Sequence, residues 1–129
     1  MRLTICLTAA LVLNAGSTLA SAHPTHAKTA FQLNDTSWTF TDTDGTKVRE
    51  SIDPTGNYIM QTAAGKHLDH GTAVMKGDKA CFTSAMTKEG ENCWTTNPTS
   101  IGRALHTVND KGKKLTVTRV AYTPLEMPK

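Results

Sequence analysis

From Trp38 onward, apolar and polar side chains alternate in short runs, and turn-forming residues separate the runs. The turn signals are Asp44-Gly45, Pro54-Thr55-Gly56-Asn57, Ala64-Gly65, Gly77-Asp78, Gly90 and Asn109-Asp110-Lys111-Gly112. Turns at such short, fairly even spacing, with no sustained helical apolar stripe between them, predict an all-β meander. Eight strands follow: Ser37–Thr41, Lys47–Ile52, Asn57–Thr62, His67–Met75, Lys79–Thr83, Glu91–Thr96, Gly102–Val108 and Lys114–Tyr122. In the first, Trp38 and Phe40 share a face. In the second, Val48 and Ile52 share one face and Lys47 and Arg49 the other. Gly71 inside the fourth predicts a bulge or bend. Pro98 keeps residues 97–101 out of the sheet.

Eight short antiparallel strands in chain order curl most simply into an up-and-down barrel, which removes the exposed edges. Trp38, Phe40, Ile52, Tyr58, Phe82, Trp94, Leu105 and Val117 are its predicted core. With aromatic residues at only 5% of the chain, that core is modest. A hairpin centred at residue 87 sets Cys81 opposite Cys93 and Ala80 opposite Trp94. Directly opposed residues of the non-hydrogen-bonded kind bring their Cβ atoms close enough for a disulfide.

The N-terminus reads differently. Arg2, an apolar run from Leu3 to Leu13, and small residues ending in Ala20-Ser21-Ala22 form the pattern of a cleavable export signal over residues 1–22. The run is too short to span a bilayer, and no other segment is apolar enough to do so. Cys6 departs with the signal, leaving Cys81 and Cys93. An even pair in an exported protein reads as a structural disulfide, in a secreted or periplasmic setting. Residues 23–35 are expected to form a flexible arm, 36–122 the domain and 123–129 a tail. Removal of Arg2 leaves a small positive surplus among the 14 Lys and Arg and 11 Asp and Glu, too small to imply nucleic acid or an anionic surface.

The order Trp38-x5-Asp44-Gly45-Thr46, Gly56-x-Tyr58, Gly65, Gly71, Gly77-Asp78, Cys81-Phe82-Thr83 and Cys93-Trp94-Thr95 resembles small secreted bacterial β-meander proteins of uncharacterised function. The likeness runs over about residues 36–122. A more distant likeness is to periplasmic inhibitors of c-type lysozyme and of metalloproteases, eight-stranded barrels with a disulfide. Gly77-Asp78-Lys79-Ala80 is similar to a short piece of the lysozyme-inhibitor pattern, while that family's Ser-Gly-x-x-Tyr stretch has no clear counterpart.

Candidate chemistry is sparse. Cleavage after Ala22 would expose His23, whose amine and ring could hold copper or zinc together with His26, His67 or His70. On a regular strand His67 and Asp69 would share a face with His70 on the other, which is the arrangement a small hydrolase could use. Asp42-Thr43-Asp44-Gly45 lacks the remaining ligands of a calcium loop and reads as a hairpin turn. No nucleophile elbow and no phosphate-cradling glycine loop occurs. These patterns favour a non-enzymatic binding module without catalytic residues or a cofactor, acting on a protein or small-ligand partner. An open, apolar-lined barrel mouth would mark a small ligand, and an exposed apolar patch a protein.

Overall fold

The computed structural model describes residues 31–129. Within them the chain forms eight strands: β1 (Thr36–Thr41), β2 (Lys47–Ile52), β3 (Asn57–Thr62), β4 (His67–Lys76), β5 (Lys79–Ser84), β6 (Glu91–Thr95), β7 (Ala104–Val108) and β8 (Lys114–Val120). All pair antiparallel in one sheet of order β6-β5-β4-β3-β2-β1-β8-β7. The pairing of β8 with β1 continues the meander around, and β6 and β7 are left as the two edges. They meet in a short seam at one end. There Trp94 bridges Asn109, the Asp110 amide donates to the Cys93 carbonyl, and Thr107 Oγ1 donates to the Thr95 carbonyl at 2.6 Å. The result is a nearly closed barrel.

The alternation of each strand sorts side chains between interior and exterior. Paired positions carry the interior set from strand to strand: Arg119, Trp38, Glu50, Met60 and Asp69 form one rung across β8, β1, β2, β3 and β4. Ile52, Tyr58, Gly71 and Ser84 form another across β2, β3, β4 and β5. Trp38, Ile52, Tyr58, Ala73 and Ala80 make the buried cluster, with Met60, Met75, Phe82 and Val117 packed against it. The predicted register of the β5–β6 hairpin holds, with Cys81 opposite Cys93 and Ala80 opposite Trp94. Cys81 and Cys93 are joined, their Cα atoms 4.0 Å apart.

Three features depart from the sequence reading. The arm expected over 23–35 is built into the fold at its end. Leu33 is 3% exposed within the core, and the Phe31 ring meets Trp38 edge-on at 6.3 Å. Residues 23–30 and the export signal expected over 1–22 lie outside the described residues. The tail is also engaged. Ser37 Oγ donates to the Thr123 carbonyl, the Leu125 amide donates to Ser51 Oγ, and Gln61 Nε2 donates to the Glu126 carbonyl. It thus lies across the outer faces of β1, β2 and β3, and Ser37 and Ser51 are buried beneath it.

The third departure is in β4. The register slips between Met60 and Gln61, which face Asp69 and His67, so Leu68 is the extra residue of a bulge. The expected bulge at Gly71 lies three residues earlier, and Gly71 has a different task. A Cβ there would overlap the Thr83 carbonyl oxygen of β5, which only glycine avoids. Replacing Gly71 with alanine forces β4 and β5 apart, and should cost about 1–3 kcal/mol. A urea-denaturation midpoint unchanged from wild type would contradict this close approach.

A candidate ligand cavity in the barrel interior

The interior is not filled. A cavity of about 270 Å³ lies inside the barrel. Its walls are Trp38, Phe40, Tyr58, Met60, Phe82, Trp94, Leu105, Leu115 and Val117, and its polar groups are Glu50, Asp69, Ser84 and Asn92. Asp42, Thr87, Glu89, Gly90, Lys111 and Lys113 also border it. These are at least partly exposed and mark the mouth. An ion pair of 2.7 Å between Lys113 Nζ and Asp42 Oδ1 ties one side of that rim, and holds the Asp42 carboxyl below the usual range. Asp42 also accepts the Gly45 amide on its carbonyl, so the Asp-Gly segment is the turn expected.

Two carboxyls stand in this apolar enclosure with contrasting partners. Asp69 accepts from the Tyr58 hydroxyl at 2.8 Å, from Ser84 Oγ at 2.6 Å and from the His70 amide at 2.9 Å. Burial, and then this bond to Asp69, push the Tyr58 hydroxyl well above its ordinary value. Glu50 is only 9% exposed, and no hydrogen bond or ion pair reaches it from the described residues. Its carboxyl is pushed up to about 8, by burial first and by the negative charge of Asp69 second. Glu50 is therefore a largely neutral acid at pH 7 inside the barrel. Asn92, which also lines the cavity, has its Oδ1 buried without a partner among the described residues.

The bulge decides where the other sequence-predicted residues fall. It turns Asp69 into the barrel and leaves His67 outside it. His67 and Asp69 do not share a face; His67 sits instead with His70, Nε2 to Nδ1 at 3.1 Å. The arrangement envisaged for a hydrolase is thus not assembled. His67 and His70 would give a metal two donors, while His23 and His26 lie outside the described residues. Among the described residues, one group of three metal-ligating side chains has its donor atoms within 4.8 Å of one another: Cys81, Glu91 and Cys93. Its two sulfurs are already spent on the disulfide. No helix among the described residues is long and apolar enough to cross a membrane.

Sequence reasoning missed both Glu50 and Asn92. Glu50 had a signal: it stands between Val48 and Ile52, in phase with both, on the strand's apolar face. No protein-family model, curated protein or solved structure matches the chain.

Proposed function

We propose that this chain is an exported, non-enzymatic binding module that takes a small ligand into its barrel. The observation that carries this reading is Glu50, a nine-tenths buried acid in an apolar cavity without a partner among the described residues. Burying an unpaired carboxyl costs free energy, and a sequence optimised only for stability would place an apolar residue there. Cavities that bind small molecules have this form: apolar walls and a few placed polar groups. At about 270 Å³ the cavity is just below the usual range for drug-sized ligands, which fits a compound of one or two rings. A protein partner has less support, because the large exposed apolar residues Val74, Met86, Ile101 and Met127 lie on separate segments. The Cys81–Cys93 bond and the export signal both belong to an oxidising exported compartment.

Titration calorimetry with propylbenzene and with 2-phenylethylamine tests the cavity. Saturable binding of at least one, at one molecule per chain, is expected. The variant Asn92→Phe, which puts a ring in place of a small amide on the cavity wall, should lose that binding and keep its fold. Absence of binding for both compounds, or equal binding by Asn92→Phe, would contradict the reading.

A further inference from the structure

We infer that the cavity selects a small organic cation, a protonated amine on an aromatic or aliphatic body, and exchanges it for the proton of Glu50. This rests on the cavity reading above and narrows its ligand class. The buried polar groups on the cavity wall that have no partner among the described residues are an acid, Glu50, and an acceptor, Asn92 Oδ1. No hydrogen bond or ion pair reaches Glu50, and none reaches the buried Asn92 Oδ1, from the described residues, while the carboxylate of Asp69 lies two strands from Glu50 on the same rung. An ammonium group brings the donors that Glu50 and Asn92 lack, and a positive charge that offsets Asp69. Trp38, Trp94 and Phe82 line the cavity, and a cation is attracted to the face of an aromatic ring. An anionic ligand would meet the Asp69 charge in a poorly solvated space, and a neutral apolar ligand would leave Asn92 Oδ1 unpaired.

The charges around Glu50 leave it free for this exchange. From β4 Asp69 faces it, and from β3 Tyr58, whose hydroxyl is raised and stays neutral. Arg119 of β8 shares the rung, but it is not on the cavity wall: its Nη1 donates to the Thr99 carbonyl at 2.8 Å, the guanidinium lies over the Phe31 ring, and its Nε is buried without a partner among the described residues. At the mouth Lys113 is paired with Asp42, with Lys111 and Glu89 further around the rim. His67 and His70 lie outside the barrel. When an ammonium enters, Glu50 gives its proton to solvent, so the site's net charge changes by zero.

The test compares 2-phenylethylammonium with propylbenzene, of nearly the same shape without the charge, and with 3-phenylpropanoate. An alkylammonium titrates near the lysine value, so it keeps its charge up to about pH 9. The ammonium should bind at least tenfold more tightly than propylbenzene at pH 8.5. Its affinity should rise on the order of tenfold or more from pH 6 to 8.5, as Glu50 gives up its proton. Calorimetry in two buffers of different ionisation enthalpy should register proton release at pH 7. In Glu50→Gln the pH dependence should vanish while propylbenzene affinity holds, which also shows that the variant is folded. Propylbenzene or phenylpropanoate binding as tightly as the ammonium overturns the cation inference and leaves the cavity intact. A flat pH profile for the ammonium does the same. Failure of all three to bind overturns both.

Discussion

Folding stability should fall by about 3–5 kcal/mol as pH rises from near 4.5 to near 8, and Glu50→Gln should remove most of that fall. The sign follows from the direction of the shift. The Glu50 carboxyl is raised from 4.5 to about 8 in the folded state, so between those values the native chain holds a proton that the unfolded chain has released. The contribution is complete below about 4.5 and is lost as pH climbs through 8. Aspartates act oppositely at the acid end. Asp42, held by Lys113, and Asp110, held by Lys79, are lowered, so their contribution is present above the ordinary carboxylate range and is lost on further acidification. Proteins tend to be steadiest between about pH 5 and 8. This one should have its maximum near the lower edge of that window. Urea titrations at pH 5 and pH 8 on the wild type and Glu50→Gln measure the effect. A variant no more stable than wild type at pH 8 would contradict it.

Removing the disulfide through the double substitution Cys81→Ala, Cys93→Ala should cost about 3 kcal/mol. That is the chain-entropy value for a loop of this length, and it lowers the melting midpoint by roughly 10–20 °C. The position of the bond gives it a second consequence. It ties β6, the edge strand, to β5, and β6 meets the β7 edge through a short seam: the Trp94–Asn109 bridge, the bond from the Asp110 amide to the Cys93 carbonyl and the bonds around Thr95 and Thr107. Trp94 and Asn92, which wall the cavity, stand on that same strand. The reduced or substituted chain should therefore bind a cavity ligand more weakly even at temperatures where it stays folded. Melting by circular dichroism, together with ligand titration at 15 °C, separates the two effects. A loss below about 1 kcal/mol with unchanged affinity would show that β6 is held by its other contacts.

The architecture was largely legible because period-two alternation and glycine-marked turns act locally. The strand from Lys114 alternates cleanly, and the pairing of Cys81 with Cys93 follows from the hairpin alone. The closing contact of β8 with β1 was implied by the barrel but is carried by no local residue pattern. The burial of Leu33 was not legible, because it comes from a segment with no periodicity. The site was hidden for two physical reasons. A bulge is set by the partner strand, so nothing in His67-Leu68-Asp69-His70 reveals that Leu68 is the extra residue and that Asp69 turns inward. Glu50 follows the alternation faithfully, but a charge flanked by Lys47, Arg49 and Ser51 reads as a solvated strand. Only the closure of the sheet turns its position into an interior one.

Whether the barrel interior is a secluded cavity around a neutral Glu50 is tested most directly by carbon-13 NMR of the glutamate side-chain carboxyls across pH 3 to 10. The Glu50 resonance, assigned by its absence from Glu50→Gln, should titrate with a midpoint near 8. It should move to lower pH when 2-phenylethylammonium is bound. A Glu50 midpoint near 4.5, with the other glutamates, would mean that its carboxyl is in water, and the account of a ligand cavity built around it would be wrong.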